Sequence, residues 1–339
     1  MPSTIDILQL GAIPYLDLEN LGGRSIASLM FCDEGRWRMW VELEGEGPGG
    51  ARLAEIQAFP AEMFFFARGE AVDDDIVFHF LEFIAQRACF PPVAKPFMGI
   101  QDDVFTLSAS LAKMEVLHAK RAEVGHGVHR MAASEVELIF TVCRSVFDLL
   151  QEIAAKLWDT VKLRDEEIKK RQLRESFNDM LYFKGEPETR EGLMSRFGLP
   201  EPWAEFYVAW RPFLQRLRGF RDEVVHRGAS VQTIFVADDG FRIAGHLRSF
   251  HGVDMWRAGE RDQAGHVPLI PALNFIVFKT LGACEDFGRM VSQIVEFPPP
   301  VAPGFNFAMR GYFNAALARA IRDAVQRIAP SATNAQAGQ

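Results

Sequence analysis

Residues 203–228 read WAEFYVAWRPFLQRLRGFRDEVVHRG, and apolar side chains recur in this stretch at alternating steps of four and three. That spacing keeps side chains on one face of an α-helix. The stripe consists of Phe206, Trp210, Phe213, Leu217, Phe220 and Val224. Pro202 suits the first helical turn, where a missing N–H costs nothing, and Gly228 suits a left-handed C-terminal cap. The sequence therefore predicts a long amphipathic helix that is bounded at both ends.

Three polar residues lie near the end of this helix: Arg221, Asp222 and His226. Asp222 and His226 are four positions apart and about 40° apart around the axis, so the carboxylate can orient the imidazole. Arg221 is about 140° from His226 and reaches round with its long side chain. Because His226 lies in the last turn, the negative end of the helix dipole favours its protonated form. We therefore expect an acid–base histidine here.

A second long helix is predicted over residues 134–170. Ser134 is a good N-cap, and Glu137 three positions later completes a capping box. The apolar stripe runs through Val136, Ile139, Phe140, Cys143, Val146, Phe147, Leu150, Ile153, Ala154, Leu157 and Val161. Two long amphipathic helices joined by a polar connector are typical of an antiparallel hairpin. Arg144 and Asp148 form an i,i+4 pair on the polar side, which indicates either a surface ion pair or a substrate contact.

The sequence from Arg221 to His226, RDEVVH, resembles the motif of the HEPN superfamily of helical-bundle proteins. Ribonucleolytic members carry an Arg, then a polar residue, then a His after four to six intervening positions near the end of a helix. Asn is the family's most usual residue where this chain has Asp222. The resemblance covers roughly residues 105–230. It implies a mainly α fold, a HEPN-like antiparallel helical bundle, with a small α+β N-terminal region and a C-terminal β-hairpin plus helices.

The resemblance also implies a metal-independent endoribonuclease. His226 would take the proton of an RNA 2′-hydroxyl as general base, and Arg221 would stabilise the charge on the phosphate. The catalytic set is then Arg221, Asp222 and His226, while Arg227, Arg144 and Glu137 are candidate substrate contacts. RNA is the expected partner, DNA is not, and the family implies a homodimer. Many HEPN proteins are toxins or defence enzymes. The alternative is a non-catalytic helical scaffold or ligand-binding module.

The bare Arg-x4-His pattern occurs three times, so its context decides which copy matters. Arg121 and His126 form one further copy, in a segment cut by glycines. Arg261 and His266 form the other, in a Gly-containing stretch without preceding apolar periodicity. The copy at Arg221 closes a long amphipathic helix.

Composition limits the remaining function classes. The 339 residues are 48% hydrophobic and carry a net charge of -8, so any RNA contact has to come from a local basic patch. Cys32, Cys89, Cys143 and Cys284 are widely spaced and predict reduced core residues rather than a disulfide framework. Because no apolar stretch reaches about 18 residues and no secretory signal is visible, we expect a cytoplasmic protein without membrane segments.

Neither a cofactor nor a metal is expected. The sequence lacks a phosphate-binding P-loop, a dinucleotide fingerprint and a nucleophile elbow. His118, His126 and His129 are the nearest approach to a metal-ligand set, but intervening glycines break a common helix face.

Three regions and a tail are predicted along the chain. Residues 1–104 form an α+β region, 105–230 the helical bundle, 231–329 a hairpin with helices that pack on the bundle, and 330–339 a disordered tail. Hairpins are predicted from 26–31 with 37–43 and from 231–237 with 241–247. Further helices are predicted over 76–89, 105–121, 269–295 and 311–328. Pro91, Pro92 and Pro96 predict a linker.

Overall fold

The computed structural model describes residues 7–44, 51–57, 62–69, 75–165, 167–221, 234–245, 255–257 and 259–328. The strands are β1 (Met30–Asp33), β2 (Arg36–Glu44), β3 (Ala51–Ile56), β4 (Met63–Arg68), β5 (Tyr182–Phe183), β6 (Glu186–Pro187), β7 (Phe235–Ala237), β8 (Gly240–Ala244), β9 (His266–Pro268) and β10 (Asn306–Arg310). The helices are α1 (Ile7–Leu10), α2 (His79–Phe83), α3 (Pro91–Ala119), α4 (Arg121–Val124), α5 (Val128–Thr160), α6 (Phe177–Leu181), α7 (Arg190–Phe197), α8 (Glu201–Arg221), α9 (Leu269–Ile294) and α10 (Asn314–Ile328).

The fold class predicted from the sequence is wrong. A five-stranded sheet in the order β10-β4-β1-β2-β3 and two smaller sheets, β5-β6 and β7-β8-β9, accompany the helices. The larger sheet is mixed, because β1 pairs in parallel with β4 whereas its other pairs are antiparallel. The architecture is therefore mixed α/β and not a mainly α, HEPN-like antiparallel bundle with small β appendages. The sheet was missed because β10 reaches β4 from about 240 positions further along the chain.

Contacts divide the chain into two compact units. The first contains Met1–Gln101, Leu149–Val208 and Cys284–Asn314, and the second contains Asp102–Asp148, Ala209–Ala283 and Ala315–Gln339. The five-stranded sheet belongs to the first unit and the three-stranded sheet to the second. The predicted division at residues 104, 230 and 329 stays a prediction.

Aromatic rings fill one face of the five-stranded sheet in the first unit. Phe31 of β1 stacks on Phe66 of β4 at a centroid distance of 5.2 Å, and both side chains are fully buried. Tyr15 and Phe305 pack against Phe31 from outside the strands, at 5.1 and 5.7 Å. Because Phe31 and Phe66 are Cα partners in the β1–β4 register, their rings fall on the same face.

The predicted pairing of the two long helices is confirmed. In the first unit, Trp158 of α5 contacts Trp203 of α8 at 5.0 Å, and Gln151 accepts a 2.7 Å hydrogen bond from the Tyr207 hydroxyl. The contact residue on α5 falls from 158 to 151 while its partner on α8 rises from 203 to 207, so the two helices are antiparallel. In the second unit the Phe147 ring contacts Trp210 of α8 at 6.4 Å.

The predicted limits of several helices need correction. Helix α5 begins at Val128, six residues before Ser134, whose hydroxyl donates to the Arg130 carbonyl instead of capping the helix. Its end at Thr160 precedes the predicted end by ten residues. Pro91 and Pro92 open α3, and Pro96 lies inside it, so this stretch is not a linker. Two prolines in a first turn cost little, because those N–H groups have no partner in the helix.

A buried guanidinium ties three segments of the first unit together. Arg24 is 4% exposed and donates to the carbonyls of Asn20, Leu21, Gln86 and Pro299. Gln86 lies in a π-helical turn, Ile84–Ala88, where the altered ladder leaves its carbonyl available to Arg24 and to the Val301 N–H. Burial and the neighbouring Arg87 lower the pKa of Arg24.

None of the helices in the described ranges combines the length and the apolar character that crossing a bilayer requires.

Candidate functional site

Helix α8 presents the sequence-predicted stripe to the core. Of the predicted stripe, Phe206, Trp210 and Leu217 are each less than 10% exposed, and Phe213 is half-buried. Leu214, which was not part of the predicted stripe, is also buried. The helix runs from Glu201 to Arg221 and so places Arg221 at the last described position of a 21-residue amphipathic helix. This part of the prediction is confirmed by the backbone.

The predicted catalytic residues Asp222 and His226 and the predicted substrate contact Arg227 lie outside the described residues, and of Arg221 the described part is the backbone. Their proposed grouping stays a prediction, and so does the C-terminal cap at Gly228.

The candidate substrate contacts Glu137 and Arg144 lie on α5. Arg144 Nε is 3.8 Å from Asp148 Oδ2, and these side chains are 43% and 52% exposed. An exposed i,i+4 pair of this length contributes a few tenths of a kcal/mol, about 0.3–0.5. Glu137 is half-buried, and its backbone carbonyl accepts a hydrogen bond from Thr141. Arg144 is thus held loosely enough to turn toward another partner.

The copy of the motif at Arg261 stabilises the loop in which it lies. Asp262 Oδ1 accepts the backbone N–H of His266 at 2.8 Å, and Asp262 Oδ2 lies 3.1 Å from His266 Nδ1. The backbone hydrogen bond from His266 contributes most to a lowered pKa of Asp262. Arg261 donates to the Gly265 carbonyl at 3.0 Å, and the His266 ring stacks on Phe235 at 3.8 Å. Arg-Asp-x3-His here closes a turn.

The copy at Arg121 also has a structural explanation. Arg121 opens the short helix α4, donates to the His118 carbonyl at 3.1 Å and lies 3.6 Å from Asp238. His126 is exposed in the following turn. This arrangement ties a helix corner to the β7–β8 turn of the second unit.

Two further histidines hold strand β7. His129 Nδ1 lies 2.7 Å from the Ile234 carbonyl, and His118 Nε2 lies 2.8 Å from the Ala237 carbonyl. Edge strands with unpaired carbonyls invite pairing with other chains, so these imidazoles protect the edge. In the part of the chain that the structure describes, His, Cys, Asp and Glu side chains do not gather in threes as metal ligands would.

The basic segment at residues 164–174 caps helices. Lys170 Nζ donates to the Trp158 and Val161 carbonyls at the end of α5. Arg171 donates to the carbonyls of Ser195 and Arg196 at the end of α7, both at 3.3 Å. Cations at helix C-termini satisfy orphan carbonyls and oppose the helix dipole. Lys170 and Arg171 therefore stabilise the ends of α5 and α7.

A cavity of about 740 Å³ lies within the first unit. Its apolar wall is formed by Leu163, Ile168, Met194, Leu199 and Ile294. The charged residues on its wall include Arg164, Lys169, Asp165 and Glu167. Volumes of roughly 300–1,000 Å³ with mainly apolar walls are typical of small-molecule sites.

A smaller cavity of about 470 Å³ lies within the second unit, and ion pairs line it. Arg327 donates to both carboxylate oxygens of Glu260, at 2.9 and 3.1 Å, and to Asp323 at 2.7 Å. Arg242 donates to both oxygens of Asp239, at 3.2 and 2.6 Å. Because these charged side chains bind one another, they stabilise the loop before β9 and are not available to bind a ligand in the cavity.

The cysteines offer no reactive thiolate. Cys89, Cys143 and Cys284 are free and buried, as the sequence predicts, whereas Cys32 is free but only half-buried. Burial raises the pKa of the Cys89 thiol to about 12 and that of Cys143 to about 12. A thiol with such a pKa stays protonated near neutrality and is a poor nucleophile.

Comparison with models of known protein families, with curated proteins and with solved structures finds no match for this chain.

Proposed function

We propose that this chain is a metal-independent endoribonuclease, of the toxin or defence type, with its site at the end of helix α8. The observation that carries the proposal is that Arg221 belongs to a long amphipathic helix, α8, which packs antiparallel on α5. The resemblance to the HEPN superfamily then concerns this helix pair and the Arg221–His226 motif. It does not extend to the surrounding mixed α/β architecture.

In the proposed reaction, the neutral imidazole of His226 takes the proton of an RNA 2′-hydroxyl. The 2′-oxygen attacks the adjacent phosphorus, the bond from phosphorus to the 5′-oxygen breaks, and that oxygen takes a proton from water. Arg221 holds the phosphate oxygens while negative charge accumulates on them. Asp222 orients the imidazole, and Arg227, Arg144 and Glu137 contact the substrate. The products are a 2′,3′-cyclic phosphate and a 5′-hydroxyl.

The test is cleavage of single-stranded RNA in EDTA by the full chain and by Arg221→Ala and His226→Ala. Each variant should abolish cleavage while the far-ultraviolet circular dichroism stays unchanged. His126→Ala is the matched control, because His126 ends another Arg-x4-His copy and is exposed. Cleavage that survives both variants, or that needs a divalent metal, rejects the mechanism.

The proposed partner is a second copy of the chain, since HEPN sites usually form between two protomers. Sedimentation velocity should then give a species of twice the 38.1 kDa chain mass. If a monomer cleaves RNA in EDTA, the proposal of a site shared between two protomers is rejected, but metal-independent cleavage is retained.

The second candidate is a non-catalytic ligand-binding module, and the cavity of about 740 Å³ favours it. An apolar anion such as anilinonaphthalene sulfonate should bind there, and Met194→Trp should reduce its fluorescence by filling the cavity. Fluorescence that is equal in the two proteins would reject this cavity as the binding site.

A further inference from the structure

Helix α8 has an uneven charge distribution. Its first turns carry Glu201 and Glu205, whereas residues 209–221 contain Arg211, Arg216, Arg218 and Arg221 and no acid. Four arginines therefore precede the next acid, Asp222, in a chain with a net charge of -8.

The helix dipole does not account for the charge of Arg211. Cations in the last turn are stabilised by the partial negative charge there, and the effect fades beyond that turn. Arg211 lies ten residues, about 15 Å along the axis, before Arg221, and α8 is helical through Arg221. Arg211 is therefore too far from the end of the helix for this effect.

Arg211, Gln215 and Arg218 share one face of the helix. They are spaced i, i+4 and i+7, and the two arginines are separated by about 10 Å along the axis. Gln215 and Arg218 are exposed, and Arg211 is half-buried. None of these three residues is without a partner, so the charge of the face, and not a set of vacant donors, would attract a polyanion.

Among its described side chains, helix α8 has no apolar face that is free to insert into a membrane, because its apolar side chains are buried in the protein. Trp210, Leu214 and Leu217 lie about 100° around the axis from the polar face. These three side chains are at most 9% exposed. A basic helix that lies on a lipid surface has to bury its apolar face in the lipid. The charge on α8 therefore suits a soluble polyanion better than a membrane.

We propose that Arg211, Gln215 and Arg218 contact the phosphate backbone of single-stranded RNA and hold it along α8. This inference rests on the proposed ribonuclease function, which makes RNA the polyanion. Guanidinium groups bind phosphate oxygens with paired, charge-assisted hydrogen bonds, and the Gln215 amide adds a neutral donor between them.

The experiment measures binding of a short, fluorescently labelled 2′-O-methyl RNA by anisotropy, at salt concentrations between about 50 and 200 mM. The 2′-O-methyl groups prevent cleavage, so binding is measured apart from catalysis. Arg211→Gln and Arg218→Gln should each reduce the slope of log affinity against log salt by about 0.7. Each should weaken binding by roughly eightfold at about 50 mM salt.

Arg289→Gln is the matched control, because Arg289 is 62% exposed and has an i,i+3 ion pair with Asp286. It should leave both affinity and slope unchanged. Gln215→Glu keeps both arginines but adds a negative charge between them, and it should weaken binding as well. Circular dichroism verifies that each variant is folded.

The inference would be overturned if the parent chain did not bind RNA, or if Arg211→Gln and Arg218→Gln left the salt slope unchanged. It would also be overturned if Arg289→Gln lost as much RNA affinity as these variants. Equally tight, arginine-dependent binding to phosphatidylserine vesicles would overturn it as well. If RNA binding depends on these arginines but ordinary RNA is not cleaved, the proposed ribonuclease activity is rejected and RNA binding by this face of α8 is retained. Cleavage with unchanged slopes would reject the face alone.

Discussion

Replacing Gly198 by alanine perturbs the corner between α7 and α8. Gly198 has φ +71° and ψ 27°, in the left-handed region, and its N–H donates to the Met194 carbonyl at 2.9 Å to end α7. A Cβ added to Gly198 would come closer than 3.0 Å to the Lys169 carbonyl oxygen, which is backbone and cannot rotate away. The substitution therefore meets both backbone strain and a steric clash.

The two costs can be separated with Gly185→Ala as a control. Gly185 has φ +87°, and an added Cβ would find no atom within 4 Å. It therefore incurs only the left-handed strain, about 1–2 kcal/mol. Gly198→Ala adds overpacking, which costs about 1–3 kcal/mol more. We expect Gly198→Ala to lose about 3 kcal/mol of unfolding free energy and Gly185→Ala about 1 kcal/mol.

Urea unfolding followed by far-ultraviolet circular dichroism measures both losses under the same conditions. Tryptophan fluorescence in parallel verifies that both probes report one transition. Equal losses in the two variants would refute the close approach of Lys169 to Gly198, and with it the described corner.

Three further predictions concern buried polar groups. Arg24→Leu should lose about 3 kcal/mol or more in urea unfolding, because it leaves buried carbonyls without donors, and a loss below 1 kcal/mol would contradict the described contacts. Tyr207→Phe should cost about 1–2 kcal/mol, since the buried Gln151 oxygen loses its donor, and an unchanged urea midpoint would argue against this pairing. Arg327 lowers the pKa of Glu260 from its ordinary value of 4.5. The pair therefore stabilises the fold fully at pH values above 4.5, and this stabilisation is lost as the pH falls through the lowered pKa of Glu260. Arg327→Met should therefore cost more stability at pH 7 than at pH 3, and an equal cost at both pH values would exclude the ion pair as the cause.

Local patterns predicted several elements well. The apolar period over 269–295 corresponds to α9 (Leu269–Ile294), and the Asp-Gly turn predicted the β7–β8 hairpin. The hairpin of β1 and β2 was also expected. Each of these elements is specified by neighbouring residues, so periodicity and turn chemistry suffice to find it.

The sheet could not be predicted in the same way. Strand β4, MFFFAR, has a continuous apolar run whose first four residues are buried, so it lacks the alternation that indicates a strand. Strand β10 gains its place by pairing with β4 at Phe307 and Phe66, far apart in the sequence. Pairing of this kind depends on the whole chain, and one sequence contains no local signal for it.

Charge patterns were the least reliable guide to the site. Lys170 and Arg171 belong to a basic run of the sequence, yet they cap the ends of α5 and α7. Their role depends on where α5 and α7 end, which the basic run itself does not specify. The spacing of Arg211 and Arg218 on one helix face follows from the sequence, but the burial of the apolar stripe beside that face was established by the structure.

The most direct measurement of the central proposal is the chemical end left on cleaved RNA. A single-stranded RNA incubated with the chain in EDTA should yield a 2′,3′-cyclic phosphate, and a 2′-deoxy substitution at the cleaved position should block the cut there. A 3′-hydroxyl product, or cleavage that continues at the 2′-deoxy position, would contradict attack by the ribose hydroxyl and the roles given to Arg221 and His226.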